Sequence, residues 1–373
     1  MDKLAIIGSG YMAKIIAERA KKLGIESHCF SNDKHSVAGT FADYFHYVNI
    51  LDVDKLLNIC RILEVNGVVA TTELTIWPTA YVAKNMGLLG NTVEIAKNIT
   101  DKFWVRNKVK NVKDLYQPTF LMCKEVTIPK IKSYPVIIKP ISAGGKRGVT
   151  VVNSKEEIES ALTEAIKISK VQGAMVEEYL AGGLEYSVES LSYCGKQYIL
   201  QITQKDTSGP PHCVELGHHQ PAELSAKMRE KIVKVISETL TAVGITNGAC
   251  HTEIKIRNEK IFLIEINARP GGDHIAYPLT ELSTGYPYIT GIIMAALGKL
   301  NEYELESLEC NYCGIYFITT QTAFLQNIFE HCEEKTWFYK KNCVSDKLLP
   351  LTHNDGFNTN YFIYFSKEGK PKI

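Results

Sequence analysis

The sequence has 373 residues, of which 45% are hydrophobic and 22% charged, and this length and composition predict two or three compact domains and exclude a disordered or fibrous chain. Because 42 Lys and Arg nearly balance 41 Asp and Glu, no basic field exists to hold nucleic acid or an anionic membrane. No segment reads as a secretion signal or a membrane span, and ten cysteines without regular spacing favour reduced thiols, so we expect a cytoplasmic protein.

The first predicted elements belong to an open α/β sheet. A glycine turn at Gly8 and Gly10 separates an apolar run from a segment with helical period. The predicted elements are strands at 3–7, 27–30 and 65–70 and helices at 11–23 and 80–85. This alternation of strands and helices predicts a separate N-terminal domain over residues 1–95.

The pattern changes to an α+β arrangement after residue 134. The predicted elements are a strand, a glycine-rich loop and a strand over 135–152, helices at 155–170 and 222–243, strands at 174–179 and 186–192, and a hairpin at 251–267. Strand-like stretches at 314–319 and 361–365 predict a small closing domain after residue 300.

The predicted hairpin at 251–267 carries the strongest chemical signal. If a three-residue loop at 258–260 closes it, Glu253 lies directly opposite Glu265, and Asn267 joins them on the same face. The other face would carry Thr252, Ile254, Ile256, Phe262, Ile264 and Ile266. Two carboxylates across a ladder repel each other, and Mg²⁺ bound jointly with substrate phosphates would remove the conflict. A solvated polar strand face is the alternative.

A fixed positive charge follows this hairpin. Arg269 begins a run that also contains Gly271, Gly272 and His274. Its guanidinium could stabilise charge that develops on a transferred phosphoryl group or an acyl-phosphate oxyanion. An ordinary surface loop is the alternative.

A second basic element lies upstream, where a predicted buried strand ends in Lys139. The loop that follows carries three glycines, Gly144, Gly145 and Gly148. Glycines let backbone amides approach phosphate oxygens, and Lys139 and Lys146 would balance the phosphate charge. The spacing does not match a P-loop, and an ordinary hairpin is an equal alternative.

Taken together, the order and spacing of three blocks resemble the ATP-grasp superfamily, and the likeness is greatest to ligases related to biotin carboxylase and to the L-amino-acid ligases. The blocks are the Lys139 strand with its glycine loop, segments 176–180 and 185–189, and the set Glu253, Glu265, Asn267 and Arg269. The resemblance implies an ATP-grasp fold of α/β and α+β parts. These are an N-terminal Rossmann-like domain at 1–95, an ATP-grasp domain at 96–300 with a lid at about 118–178, and a small C-terminal subdomain at 301–373.

The resemblance also implies ATP and Mg²⁺ as cofactors, with Mn²⁺ as an alternative metal, and it assigns roles to residues. Arg269 would be catalytic, and Glu253, Glu265 and Asn267 would bind the metal. The implied nucleotide-binding residues are Lys102, Lys139, Gly145, Lys146, Glu177, Glu178, Leu180 and Glu185. Lysines would contact phosphates, residues 177–180 would line adenine, and Glu185 would bind the ribose hydroxyls.

The segment at 207–221 resembles the acceptor side of the amino-acid ligases. The implied substrate residues are His212, Glu215, His218, Gly271, Gly272 and His274, although satisfied loop histidines are an alternative. The expected function is an ATP-dependent carboxylate–amine ligase that forms an amide between small molecules through an acyl phosphate and releases ADP and phosphate. A homodimer is also implied.

Three other readings compete with the ligase. The Gly8 turn, with Asp33 about 20 residues later, resembles a dinucleotide fingerprint and suggests a dehydrogenase. His251 and Glu253 with Cys310 and Cys313 resemble an incomplete zinc deaminase signature. A non-catalytic ATP-binding module is the third, although none of the three metal ligands or the arginine is missing.

Overall fold

The chain folds into three β-sheets with helices packed between and around them. The computed structural model describes residues 1–36, 38–127, 129–143, 146–169, 172–210, 213–351, 353–354 and 356–373. No helix in these ranges is both long enough and apolar enough to cross a membrane.

The first sheet is parallel and has the strand order β3-β2-β1-β4. Its elements are β1 Lys3–Ile7, α1 Tyr11–Lys22, β2 Glu26–Ser31, β3 Tyr44–Tyr47, α2 Val53–Leu63, β4 Gly67–Ala70 and α3 Ile76–Met86. The strand and helix predictions for this region are confirmed. Gly8 has a φ of +111°, and a Cβ there would lie 2.2 Å from Thr71 Oγ1, so the turn after β1 requires glycine.

A second sheet, called the lid sheet below, is antiparallel and has the order β6-β9-β7-β8. The elements from the first sheet to its end are α4 Val93–Asn98, α5 Lys102–Lys108, β5 Leu115–Tyr116, β6 Phe120–Cys123, β7 Val136–Pro140, β8 Thr150–Val152, α6 Ile158–Ile168 and β9 Ala174–Glu178. Helix α6 buries Ile158, Ala161, Leu162 and Ala165 in the same hydrophobic cluster as Ile138 and Val176.

The third sheet has nine strands in the order β16-β17-β15-β12-β11-β10-β13-β14-β5. Its elements and flanking helices are β10 Leu184–Tyr193, β11 Lys196–Thr207, β12 Glu215–Gln220, α7 Ala226–Val243, β13 Gly248–Arg257, β14 Lys260–Asn267, α8 Glu281–Thr284, α9 Tyr288–Ala296, β15 Tyr312–Ile318, α10 Gln326–His331, β16 Phe338–Asn342 and β17 Asn360–Ser366. The strands after residue 300 thus pair with the central strands. The predicted domain boundaries at 95 and 300 stay predictions.

Helix α7 covers one face of this sheet. Its residues Ile232, Val235, Ile236 and Leu240 are buried in one cluster with Ile254, Ile261 and Leu263 of the hairpin. Fully burying an aliphatic side chain of this size contributes about 1.5–3 kcal/mol. The packing therefore fixes which face of β13 and β14 is turned away from the helix and toward the cavity.

The hairpin of β13 and β14 has the predicted pairing of Glu253 with Glu265, but it reaches that pairing by a different route. The loop has two residues, because Arg257 pairs with Lys260, and the register then shifts by one residue between Glu253 and Ile254. Ile264 is the extra residue of this bulge.

The bulge changes which residues of β14 face the core. On the loop side of it, Ile261 and Leu263 enter the core with Ile254, whereas Phe262 lies outside that cluster and Ile264 lines the cavity. A register that is off by one residue turns every side chain to the opposite face, which is why the prediction that Phe262 and Ile264 share a face with Ile254 was wrong, although Phe262 is itself buried.

Candidate active site

A cavity of about 310 Å³ lies where the lid sheet faces the nine-stranded sheet. The predicted site residues on its wall are Lys102, Lys139, Lys146, Glu177, Glu178, Leu180, Glu185, Glu215, Glu253, Glu265, Asn267, Arg269 and Gly272. His218, Gly271 and His274 are not on this wall, and Gly145 and His212 lie outside the described residues. One cavity therefore brings together most of the side chains that the sequence singled out.

The two apposed carboxylates have different partners. Glu253 Oε1 accepts a hydrogen bond from Lys205 Nζ at 2.8 Å, and Glu265 Oε2 lies 3.3 Å from Lys102 Nζ. Asn267 Nδ2 donates to Glu265 Oε1 at 3.0 Å, while the buried Asn267 Oδ1 has no hydrogen-bond partner in the described part of the chain. An orphaned amide oxygen beside two carboxylates is a set of hard donors, so these residues fit a divalent cation.

Lys205 connects this group of oxygen donors to Glu215. Its side chain is 1% exposed, and Nζ lies 2.8 Å from both Glu215 Oε1 and Glu253 Oε1. Burial opposes the charge of Lys205, but these two carboxylates outweigh it and raise its pKa. No sequence pattern pointed to Lys205, because it lies two strands away from Glu253, on β11.

His251 sits behind Glu253 in a buried ion pair with Glu189 Oε1. Although burial disfavours its charge, Glu189 raises the pKa of His251 to about 9. The Gly271 backbone N–H donates to Glu189 Oε2 at 3.0 Å, and a Cβ on Gly271 would lie 2.7 Å from Glu189 Oε1. Gly271 therefore supports this ion pair from behind the cavity wall.

A second buried ionic cluster supports Lys139. Lys139 forms an ion pair with Glu177 Oε2, and Arg106 donates to Glu177 Oε1 from Nε at 3.2 Å and from Nη2 at 3.0 Å. Arg106 also donates to the carbonyl oxygens of Leu263 and Ile264, at 2.6 and 3.3 Å, next to the β14 bulge. Both Glu177 carboxylate oxygens are bound by Lys139 or Arg106, so only the Glu177 backbone is left to contact an adenine ring.

Arg106 was not predicted to be a site residue, although the sequence contains a pattern that indicates it. Asp101 accepts hydrogen bonds from the backbone N–H groups of Phe103 and Trp104 and begins helix α5. Lys102 and Arg106 stand four residues apart on that helix, and both are buried. Positions i and i+4 share a helix face, so a capped helix that turns two basic residues to one side predicts an anionic neighbour.

Lys146, next to the glycine-rich segment, contacts three oxygen atoms at the cavity wall. Its Nζ donates to the Cys213 carbonyl oxygen at 2.7 Å and to Glu185 Oε2 at 3.1 Å, and it lies 3.8 Å from Glu215 Oε1. Lys255 Nζ lies 3.7 Å from Glu185 Oε1. The predicted ribose residue Glu185 therefore contacts two lysines.

Arg269, which follows the hairpin of β13 and β14, links it to the first sheet. Its Nη2 donates to Glu73 Oε1 at 3.0 Å, and Nη1 donates to the Pro270 carbonyl oxygen at 2.9 Å. Glu73 follows strand β4 and also lines the cavity. The guanidinium is thus held at the cavity wall by a residue of the N-terminal sheet.

Glu215 belongs to a group of carboxylates and histidines at one end of the cavity. Among the described residues, Glu215, His218 and Asp273 form the one group of three His, Cys, Asp or Glu side chains whose polar atoms lie within 4.8 Å of one another. His218 is fully buried, with Nε2 3.2 Å from Glu215 Oε2, and His274 packs against Tyr11 and Phe357. His274 is therefore part of the core.

Two observations concern the dehydrogenase and zinc deaminase hypotheses. Tyr11, at the start of α1, packs on Phe357 with ring centroids 4.5 Å apart, so the C-terminal segment contacts the residue that follows the glycine turn. Cys313 is buried and donates from Sγ to the Leu279 carbonyl oxygen at 3.2 Å, while Cys310 is exposed. In the described ranges these cysteines form no metal group with His251.

Comparisons with known proteins identify an ATP-grasp domain in this chain. A family model described as an ATP-grasp domain matches residues 132–277. The chain is 22% identical over 321 residues to the formate-dependent phosphoribosylglycinamide formyltransferase of Prochlorococcus marinus, covering 81% of this chain and 74% of that protein. It is 27% identical over 247 residues to alanine–anticapsin ligase of Bacillus subtilis, covering 59% of this chain and 52% of that protein.

Solved structures show the same fold over nearly the whole chain. The L-amino acid ligase from Bacillus licheniformis superposes with a TM-score of 0.82 at 23% identity, covering 99% of this chain and 94% of that one. The N5-carboxyaminoimidazole synthetase from Staphylococcus aureus, solved with ADP, superposes with a TM-score of 0.75 at 16% identity, covering 98% and 94%.

Residues 132–277 match an ATP-grasp domain, and the whole chain has the fold of the ATP-grasp enzymes, a class that uses ATP together with a divalent metal. The chain is similar to carboxylate–amine ligases of this class, which form carbon–nitrogen bonds. The dehydrogenase and the non-catalytic module are not favoured.

Proposed function

We propose that this chain joins the carboxylate of one small molecule, an amino acid, to the amine of another, with conversion of ATP to ADP and phosphate. The observation that carries the proposal is the facing pair Glu253 and Glu265 with the unpartnered oxygen of Asn267, in one cavity with Lys102 and Lys139. Hard oxygen donors beside buried ammonium groups suit a nucleotide triphosphate bound with its metal.

The proposed nucleotide end of the cavity is formed by the lid sheet and the adjoining strands. Lys102 and Lys139 bind phosphate oxygens, residues 178–180 and Ile264 contact the base, and Glu185 accepts hydrogen bonds from the ribose. Because Lys139 shares Glu177 with Arg106, its ammonium is held in place before substrate arrives. Such preorganisation avoids rearrangement during charge transfer.

The proposed metal site consists of Glu253, Glu265 and Asn267, and we propose Mg²⁺, with Mn²⁺ as an alternative. A divalent cation there would neutralise phosphate charge and orient the phosphoryl group that is transferred. Arg269, held by Glu73, stabilises negative charge on the acyl-phosphate oxygens at the other side of the cavity. Lys146 donates to the Cys213 carbonyl oxygen, and from this position it would limit the entry of water.

The proposal is tested by a screen for ADP release with pairs of amino acids, ATP and Mg²⁺. We expect particular pairs to give ADP and a dipeptide in equal amounts, identified by mass spectrometry. AMP and pyrophosphate as the stoichiometric products would place the enzyme in an adenylating class and contradict the proposal.

A further inference from the structure

Two carboxylates face the substrate side of the cavity, and they differ in their neighbours. Glu215 Oε1 is 2.8 Å from the buried Lys205 ammonium, and Lys146 Nζ lies 3.8 Å from the same oxygen. Within the described part of the chain, no Lys, Arg or His nitrogen comes within 4.0 Å of the Asp273 carboxylate. Its recorded hydrogen bond is from the Gly356 backbone N–H to Oδ1, at 3.2 Å.

We infer that Asp273 is the general base that takes a proton from the ammonium group of the amine substrate. This inference rests on the proposed function, since it assigns a residue to the second half of that reaction. Asp273 lines the same cavity as Arg269 and Gly272, four residues after Arg269 in the chain. An acyl phosphate held by Arg269 would therefore lie near an amine that is bound at Asp273.

The reaction needs such a group because an ammonium has no free electron pair. One N–H bond breaks, the proton goes to an Asp273 oxygen, and the electron pair stays on nitrogen. The neutral amine then attacks the acyl carbon, a C–N bond forms, and the C–O bond to phosphate breaks with its electron pair leaving on phosphate. The second ammonium proton leaves to the departing phosphate, so charge and atoms balance.

The charges around the two carboxylates favour Asp273 over Glu215 as the base. Burial, and after it the charge of Glu215, raises the pKa of Asp273 to about 6, while Lys205, Arg269 and the Gly356 N–H act in the opposite direction. Although burial opposes it, Lys205 lowers the pKa of Glu215 to about 2. A base is most effective when its pKa lies near the working pH, and Glu215 is too weak a base for that task.

His218 supports the assignment of this corner as a ligand site. It is fully buried behind Glu215, and neither ring nitrogen has a hydrogen-bond partner among the described residues, although Nε2 lies 3.2 Å from Glu215 Oε2. Its polar atoms lie within 4.8 Å of those of Glu215 and Asp273. A tetrahedral ammonium with donor–acceptor distances of about 2.9 Å would separate its acceptors by about 4.7 Å.

The test compares two nucleophiles in the wild type, in Asp273→Asn and in Glu238→Gln, an exposed control on α7. The standard amino acids supply the carboxylate and carry charged ammonium groups, whereas added hydroxylamine is largely uncharged at neutral pH and needs no base. We expect Asp273→Asn to lose at least about 100-fold in ADP release with amino acids alone and to keep hydroxamate formation near the wild-type rate. Asparagine keeps the acceptor for the Gly356 N–H, so the variant should fold.

The outcomes separate this inference from the proposed function. No hydroxamate and no ADP from the wild type would overturn the ligase and the base together. Equal losses with both nucleophiles, or no loss with either, would overturn the base and leave the ligase standing. If the variant does not fold, the pH profile of the wild type is decisive. Amide formation with amino acids should rise through about pH 6, whereas hydroxamate formation, divided by the concentration of neutral hydroxylamine at each pH, should not, and identical profiles would overturn the inference.

Discussion

Arg106 and Lys139 bind opposite oxygens of the Glu177 carboxylate, all three side chains are buried, and Arg106 also reaches two carbonyl oxygens of β14. Lys139 and Glu177 belong to the lid sheet, and β14 belongs to the nine-stranded sheet. Arg106 therefore ties the two sheets together at the point where the cavity begins.

The first prediction concerns this cluster. Glu177→Gln removes the negative charge and leaves two buried cations together, so we expect a loss of about 3–5 kcal/mol in the free energy of unfolding. Urea denaturation measures it. Glu238→Gln, whose partner Lys234 lies 4.0 Å away at the surface, should change stability by less than about 0.5 kcal/mol. Similar small values for both variants would show that the buried cluster does not stabilise the fold.

The second prediction is a pH dependence that arises from His274. Burial lowers the pKa of His274 to about 3, so the folded state keeps it neutral while the unfolded state protonates it near its ordinary value of about 6.5. The contribution of neutral His274 to the free energy of unfolding is therefore complete above about pH 6.5. It is lost as the pH falls toward 3, by up to about 1.4 kcal/mol per pH unit.

Denaturation curves between pH 7 and pH 5 test this dependence. His274→Asn removes the titrating ring, and asparagine tolerates the left-handed backbone at this position, where φ is 68°. The variant should be less stable at pH 7 but should lose less stability per pH unit on acidification. An unchanged slope would assign the acid sensitivity to other groups.

The third prediction concerns the glycine loop. Bound triphosphate would compete for the Lys146 ammonium and give the loop amides an acceptor, so we expect slower hydrogen exchange at residues 140–150 when a non-hydrolysable ATP analogue and Mg²⁺ are added. Peptides from helix α2, Val53–Leu63, which packs on the first sheet, serve as the internal control. Equal exchange with and without nucleotide would contradict ordering of the lid and leave the ligase assignment intact.

The fourth prediction concerns the metal ligands. Glu265→Gln keeps the size of the side chain but removes one of the two facing charges, and we expect ADP formation at saturating Mg²⁺ to fall at least about 100-fold. The far-UV circular dichroism spectrum should not change, and Glu238→Gln should retain its activity. Turnover near that of the wild type would remove Glu265 from the metal site.

The sequence was sufficient for those parts of the site that lie close together along the chain. The pairing of Glu253 with Glu265 follows from two-residue periodicity, and it survived an error in the loop length because the bulge at Ile264 compensates for the shorter loop. Strands β1, β2 and β4 of the first sheet also follow from local apolar patterns, whereas strand β3 and helix α2 were not predicted.

What the sequence did not predict depends on distant strands. Lys205 reaches Glu253 from β11, across the intervening strand β10, and Glu73 meets Arg269 although 196 positions separate them. No spacing rule connects such pairs, because the order of strands in the sheets brings them together. His274 packs among aromatic rings and is not among the residues that line the cavity, so its predicted contact with substrate stays a prediction; the polarity of a histidine does not reveal its burial.

The central claim, that a substrate carboxylate is activated as an acyl phosphate in the cavity of Glu253, Glu265 and Arg269, is tested most directly by following the carboxylate oxygen. An amino-acid substrate found in the screen is labelled with heavy oxygen in its carboxylate, and the released phosphate is analysed by mass spectrometry. We expect one labelled oxygen in the phosphate that is released for each amide formed. Label in AMP, or phosphate without label during amide formation, would contradict it.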